Sequence, residues 1–431
     1  MSTPHIVIAG GGYVGMYTAL GLQRSLRPGE GRVTVIDPRS AMTYQPFLPE
    51  AAAGNLEPRH VVVPLRKTLD KCEVLTGRVE SIDHAGRKLR VEPPEGGSYD
   101  VGYDELVVAL GSVARTIPIP GLAENAMGFK QIEEAIALRN QVLERLDIAS
   151  SVQEPRIRSS ALTFVFVGGG YAGVEALAEI EDMARFTTRY YETIDDADLR
   201  FVLVEMADHI LPEVGPQMGR YTIDRLVERG IEVRLETKLE SCVDGHVVLS
   251  DGQEFDADTI VWTAGVKANP MLSHSDLPLD EKGRLKARGD LRVDGVDHAW
   301  TAGDNAAVPD LTQPGALCAP NAQHAVRMAR LLAVNLVHSL RGEELTEYRH
   351  KYVGSVASLG LHKGVAQVYG VKLRGFPAWF MHRTYHMSRM PTLNKKVRIV
   401  LDWTLALFFR RDIVSLGALQ RPRDDFKRAN L

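Results

Sequence analysis

Ile6-Val7-Ile8-Ala9-Gly10-Gly11-Gly12-Tyr13-Val14-Gly15 is a β-branched apolar run that breaks into glycines and then opens a helical pattern. The arrangement returns at Phe164-Val165-Phe166-Val167-Gly168-Gly169-Gly170-Tyr171-Ala172-Gly173. Each copy is followed by a second apolar strand closed by an acid. The first is Val33-Thr34-Val35-Ile36-Asp37 and the second Phe201-Val202-Leu203-Val204-Glu205. A lone glycine-rich turn is weak evidence, but strand, turn, helix, strand and acid together are the context a dinucleotide requires. Gly10 and Gly168 permit the tight turn, Gly12 and Gly170 let the backbone approach a pyrophosphate, and Gly15 and Gly173 let helix and strand pack closely. The free N–H groups and positive dipole end of each helix face the phosphates. Asp37 and Glu205 are placed to accept hydrogen bonds from an adenosine ribose. The spacing predicts an α/β chain with two Rossmann-like dinucleotide-binding domains, and two dinucleotides on one chain point to electron transfer between them.

The second acid also bears on cofactor choice. Met206, Ala207 and Asp208 follow Glu205, with no arginine to receive a 2′-phosphate. A carboxylate about 5 Å from each phosphate charge costs roughly 3 kcal/mol at an effective dielectric near 20. NADH is therefore expected over NADPH.

At 431 residues the chain is too long for one ordinary core,. The first fingerprint and the strand-like Tyr103–Ala109 mark a first half-unit, closed by the proline-rich Ile117-Pro118-Ile119-Pro120-Gly121,. Ile260-Val261-Trp262-Thr263-Ala264-Gly265 repeats that strand in the second half. Ala299–Asp304 reads as a short strand ending in an aspartate, and a long helix is expected from Ala319-Pro320-Asn321 through about Val337. The division expected is a first domain over 1–115 and 296–345, a second over 116–295, and a C-terminal region over 346–431.

The net charge of −4 hides an asymmetry. Residues 372–431 hold 13 Lys/Arg against 4 Asp/Glu, leaving the rest with 38 against 51. A basic tail on an acidic body implies an anionic partner surface. Val397, Leu401, Leu405 and Phe408 form a helical stripe, flanked by Lys395, Lys396, Arg398, Arg410 and Arg411. Bulky apolar groups between cations suit a helix lying in the headgroup layer, each cation near an anionic leaflet adding about 1 kcal/mol. A dimer interface is the competing reading of the same stripe. No recognition module accompanies the charge, so nucleic acid is not expected. Cys72, Cys242 and Cys318 have neither zinc nor C-x-x-C spacing,. They fit a reducing cytoplasm. A strand begins within five residues of the start, which leaves no room for a signal peptide. Long uncharged runs are missing, so no bilayer-spanning helix is expected.

The fingerprints, together with Ala109-Leu110-Gly111-Ser112, Thr263-Ala264-Gly265 and Ala302-Gly303-Asp304, resemble the flavin-dependent pyridine nucleotide oxidoreductases. Within that superfamily the chain is most similar to the type II NADH:quinone oxidoreductases, in an actinobacterial-like branch. Tyr44-Gln45-Pro46-Phe47-Leu48-Pro49-Glu50-Ala51, Gly173-Val174-Glu175, Ala322-Gln323-His324-Ala325 and Tyr348-Arg349-His350-Lys351 carry this likeness. The resemblance implies FAD in the first domain, with Gly10, Gly12, Tyr13, Val14, Gly15 and Asp37 around its adenosine half. It adds Gln45, Val79, Gly111, Gly303, Asp304 and Ala322, Asp304 lying on the ribityl–phosphate part. For NADH it implies Gly168, Gly170, Tyr171, Ala172, Gly173, Glu175, Glu205, Ala264 and Gly265.

Glu175 and Gln323 are the expected catalytic residues. Glu175 positions nicotinamide or relays a proton from a partly buried carboxyl of raised pKa. Gln323 and His324 are the expected quinone contacts, and the helix opening at Ala322 would stabilise negative charge on the reduced flavin. No cysteine precedes residue 72, so the C-x-x-x-x-C pair of the disulfide reductases is missing. The scattered thiols also speak against sulfide oxidation. The implied enzyme oxidises NADH, reduces a membrane quinone (menaquinone is the expected one) and pumps no protons. It would be a peripheral homodimer on the cytoplasmic face, anchored through residues 376–431. Two alternatives stay open: a soluble FAD-dependent reductase serving an iron–sulfur or haem protein, and a redox-sensing protein with negligible turnover.

Overall fold

The computed structural model describes residues 3–350, 353–409 and 411–415. In chain order the elements that position the site begin with β1 (His5–Ala9), α1 (Tyr13–Ser25), β2 (Arg32–Asp37), α2 (Leu48–Ala52), β3 (Glu73–Thr76) and β4 (Glu105–Val108). They continue with β5 (Ala126–Gly128), α3 (Ile132–Ser151), β6 (Thr163–Val167), α4 (Tyr171–Thr188), β7 (Arg200–Val204), β8 (Glu232–Arg234) and β9 (Thr259–Trp262). The last are β10 (Ala299–Thr301), α5 (Ala322–Arg341), β11 (Gly354–Ser358), β12 (Gly364–Val368), β13 (Val371–Arg374), α6 (Phe376–Arg389) and α7 (Leu393–Phe408).

Two compact units result. The first comprises Met1–Thr43, Val63–Val113 and Val266–Tyr352; the second comprises Tyr44–Val62, Ala114–Gly265 and the described residues from Val353 on. In the first, a parallel sheet runs β10-β4-β1-β2-β3. In the second, a parallel sheet runs β5-β9-β6-β7-β8. Every residue of β1 and of β6 is buried, which is why both read as unbroken apolar runs rather than alternating ones. Each unit also carries a three-stranded antiparallel meander, 78–102 in the first and 239–256 in the second. The duplication seen in the motifs therefore extends to whole sheets.

The division differs from the sequence boundaries in three places, and apolar burial explains each. Residues 266–295 stay with the first unit because Met271, Leu272, Leu277, Leu285 and Val293 fill its core beside Leu106 and Val108. Residues 44–62 belong to the second, where Leu48, Ala52 and Ala53 pack with Leu138 and Leu177. The C-terminal region is not a separate body. Ala357, Leu359 and Val365 enter that same core, and β11-β12-β13 form an antiparallel sheet with α6 and α7 following. Lys351, Arg410 and residues 416–431 lie outside the described residues.

Candidate functional site: two nucleotide cradles and a buried charge cluster

In both units the glycine turn leaves the carboxyl end of the sheet's central strand, between neighbours that lie on its two sides. That is the switch point at which open α/β sheets bind ligands. Gly10 has φ +106° and Gly168 φ +116°, a left-handed backbone no other residue adopts without strain,. A Cβ on Gly15 would overlap the Gly10 carbonyl oxygen, and one on Gly173 that of Gly168. The middle glycines differ. A Cβ on Gly12 or Gly170 would meet nothing within 4 Å. These are also the N-cap residues of α1 and α4, and neither helix has a side-chain cap. Each turn thus presents an open face at a helix start whose N-cap glycine carries no side chain, the fit a pyrophosphate needs,.

Both acids close their turns. Asp37 accepts from Gly11 N at 2.7 Å through Oδ2 and from Arg39 N at 2.8 Å through Oδ1. Burial raises its pKa, and those two amides work against the shift. Glu205 accepts from Gly169 N at 2.5 Å and from Ala207 N at 2.8 Å. Each oxygen keeps a lone pair for a ribose hydroxyl. Tyr13 and Val14 open α1, and Tyr171 and Ala172 open α4. Beside the second turn, Thr263 Oγ1 donates to Val167 O at 2.9 Å, and Ala264 and Gly265 (φ +86°) lead away from β9.

Further along the first unit, Ser112 Oγ donates to Asp304 Oδ2 at 2.7 Å. Asn305, fully buried, accepts from Gly111 N at 2.9 Å and donates to Val108 O at 3.1 Å. Asn305 thereby joins the loops of Gly111 and Gly303. It went unnoticed in the sequence, although it adjoins the Gly303-Asp304 motif. The Val79 side chain is buried in the core of the first unit. Gln45 falls in the second unit, its side chain donating to Lys130 O at 3.2 Å.

Helix α5 begins at Ala322, with Asn321 Oδ1 accepting from His324 N at 2.8 Å. Gln323 Oε1 lies 2.8 Å from His350 Nε2. Burial, with Arg327 adding, lowers the His350 pKa to about 4. The ring is therefore neutral at pH 7, and an Nε2–H donor orients the carboxamide. His324 is not presented on the helix surface. Its ring is buried, with Nδ1 2.8 Å from the Tyr348 hydroxyl, and burial lowers its pKa.

Glu175 sits in α4 among buried charges of the second unit. Ser358 N donates to its Oε1 at 2.8 Å. His382 Nε2 lies 3.1 Å from the same oxygen, within ion-pair reach though off the line of a hydrogen bond. Burial acts to lower the His382 pKa, but the Glu175, Glu50 and Glu179 carboxylates together raise it. One turn on, Glu179 accepts from Asn55 Nδ2 at 3.0 Å and from Ser358 Oγ at 2.7 Å. Burial pushes that carboxyl up to about 7, with the charges of Glu50 and Asp182 adding to the shift. Arg383 Nη2 lies 2.9 Å from Glu50 Oε2, and Trp403 Nε1 donates to the same oxygen at 3.0 Å. A raised carboxyl thus stands at Glu179, one turn on from the glutamate the sequence singled out. Glu50, Ser358, His382 and Arg383 were not singled out as site residues. Glutamates at i, i+4 on an otherwise apolar helix face were the one available signal.

The three thiols do not pair. Burial raises Cys72 and Cys318 to about 11 and also raises Cys242. They stay protonated near neutrality, which suits core thiols rather than redox partners.

The chain matches the family described as pyridine nucleotide-disulphide oxidoreductase over residues 4–329. It belongs to that family. Among curated proteins it is 28% identical to the type II NADH:quinone oxidoreductase Ndh of Mycobacterium tuberculosis, covering 94% of this chain and 88% of that protein. It is 29% identical to a Staphylococcus aureus type II NADH:quinone oxidoreductase, covering 88% and 93%. Among solved structures, NDH2 from Plasmodium falciparum in complex with NADH superposes with a TM-score of 0.88 at 18% identity. That match covers 96% of this chain and all of the other.

Proposed function

We propose that this protein is an FAD-dependent type II NADH:quinone oxidoreductase, peripheral to the membrane and without proton pumping. The carrying observation is the pair of open, acid-closed glycine turns, one per unit, in a chain whose thiols neither pair nor ionise near neutral pH. The activity for which these relatives are named agrees with that reading.

Bound FAD would supply the two-electron chemistry between NADH and the quinone. The chain's part is placement. Asp37 and Glu205 hold the ribose ends, and the first-turn amides of α1 and α4 hold the phosphates. Gly111, Gly303 and Asp304 border the rest of the flavin. Glu175 and its His382 neighbour manage protons, and Gln323, steadied by His350, offers its carboxamide to a quinone oxygen. His324 supports the helix start through Tyr348 instead of meeting the acceptor itself.

Helix α7 supports attachment to the membrane. Its inner side carries Asp402, whose Oδ2 lies 2.6 Å from His60 Nδ1, Trp403, which reaches Glu50, and the buried Ile399. Its apolar side turns outward, with Leu393, Leu407 and Phe408 at 76–77% exposure and Val397, Leu401 and Leu405 also exposed. A helix in water would be built the other way round. An apolar outer face beside Lys395, Lys396 and Arg398 fits an anionic leaflet. No helix among the described residues is long and apolar enough to cross a membrane. The membrane proposed is the cytoplasmic face of the cell membrane, and the acceptor is menaquinone. The assembly proposed is a homodimer, for which the exposed Phe376 and Phe380 of α6 offer surface.

The test is the purified protein's visible spectrum followed by an acceptor panel. A flavin spectrum bleached by NADH and restored by a soluble quinone is expected. A colourless preparation that cannot be reconstituted with FAD would end the reading.

A further inference from the structure

One cluster of buried charges in the second unit has more acids than cations. Glu50 has Arg383, at 2.9 Å and 3.2 Å from its two oxygens. Glu175 has His382 at 3.1 Å. Glu179, with no exposed surface, has only neutral donors among the described residues: the Asn55 amide at 3.0 Å and the Ser358 hydroxyl at 2.7 Å. Cations nearby are already engaged. Arg411 and Lys363 face Asp182 at 2.7 Å and 3.7 Å, and Arg185 and Arg229 hold Glu181. Three buried carboxylates against two cations leave one negative charge without compensation, which a protein interior tolerates poorly. A proton on Glu179 removes the imbalance. Its contacts allow one, because a serine hydroxyl donates or accepts, so the 2.7 Å contact survives with the roles reversed.

We propose that Glu179 stores the proton consumed in quinone reduction and hands it toward the Glu175–His382 pair, with Ser358 as their shared contact. Ser358 touches both acids, through its hydroxyl to Glu179 and its backbone N–H to Glu175. The inference rests on the quinone reading. Oxidation of NADH by a quinone takes up one proton from the medium, since the hydride brings two electrons and only one of the quinol's two protons. The Glu175–His382 pair releases the proton that completes the quinol, the Glu179 O–H bond breaks to restore the pair, and the proton taken from the medium returns to Glu179. Burial places the Glu179 pKa at about 7, where both forms are populated at working pH,.

The experiment uses the flavin-loaded full chain and has two readouts. Infrared spectroscopy of the oxidised wild type across neutral pH should show a buried, protonated carboxyl that titrates near pH 7 and is absent from Glu179→Gln. In the same variant, turnover with a soluble quinone should fall at least about tenfold relative to its ferricyanide rate, because ferricyanide takes electrons without protons. Its quinone pH profile should lose the step near neutrality, and Ser358→Ala should weaken both signals. A wild type lacking that carboxyl band, or a Glu179→Gln variant with an unchanged quinone-to-ferricyanide ratio and pH profile, would overturn the inference. A wild type that reduces ferricyanide but no quinone would instead sink the quinone reading, whatever the carboxyl band shows.

Discussion

The Glu205 carboxylate holds the Gly169 amide at 2.5 Å, so the acid that would meet an adenosine ribose also closes the loop beneath its phosphates. A cofactor bearing a 2′-phosphate would press that charge against an acid already fixed by two backbone donors. The repulsion of roughly 3 kcal/mol at a dielectric near 20 corresponds to about a hundredfold preference for NADH in kcat/KM. Glu205→Gln should narrow the ratio by about tenfold or more. Steady-state kinetics with both cofactors checks this, and equal or better efficiency with NADPH in the wild type would reject it.

Gln323 and His350 make a second such pair, 2.8 Å apart. Because the imidazole is neutral, its loss should remove one hydrogen-bond partner of the carboxamide without altering local charge. His350→Ala is expected to raise the KM for quinone severalfold while NADH-driven flavin bleaching keeps its rate. Stopped-flow bleaching alongside quinone titrations separates the two; a slowed bleaching step would place His350 elsewhere in the mechanism.

Removing residues 376–431 would test membrane binding poorly. The same stretch supplies Arg383 and Trp403 to Glu50 and His382 to Glu175. Substitution on the outer face of α7 is cleaner. Leu401→Glu with Leu405→Glu replaces two side chains that are each 54% exposed. Burying each leucine in a lipid interface contributes about 1.5–3 kcal/mol. The double variant should therefore lose well over tenfold in sedimentation with anionic vesicles while keeping its melting temperature. Undiminished binding would show that the anchor lies on another surface.

Much of this organisation was readable from residues. The two turns, their acids, the buried parallel strands and the capped start of α5 follow from local sequence, because glycine geometry and strand burial act over a few positions. The domain boundaries did not, since Leu48 and Val365 choose their unit by distant packing. The orientation of α7 was also hidden: the stripe Val397, Leu401, Leu405, Phe408 marks a face but not which way it points. The charge cluster joins residues 50, 175, 179, 358, 382 and 383, four chain segments brought together only by tertiary structure.

Arg383 and Glu50 should dominate the stability of the second unit. The guanidinium stacks over Trp379 at 4.1 Å and Trp403 at 5.0 Å while pairing with a carboxylate that is 1% exposed. Arg383→Met alone leaves that acid buried without its cation and should cost about 3–5 kcal/mol. The double change Arg383→Met with Glu50→Gln should recover a large part of the loss. Denaturant unfolding of the wild type, the two single variants and the double variant decides; additive single effects would mean that the pair is not coupled.

Glu179 gives stability a definite pH signature. Its folded pKa, about 7, stands above the ordinary 4.5. Between those values the folded chain binds a proton that the unfolded chain releases. Stability from this group is therefore fully present below pH 4.5 and is lost as pH rises through 7,. Glutamine at this position carries no titrating proton, so Glu179→Gln should show a flatter fall in melting temperature from mildly acid to mildly alkaline pH. His386, whose pKa burial and the neighbouring His382 charge push well below 6.5, works in the opposite sense and is present in both proteins. The wild-type minus variant difference isolates the carboxyl. A difference that is constant across this range, or that grows in favour of the wild type as pH rises, would mean that Glu179 is ionised in the folded protein.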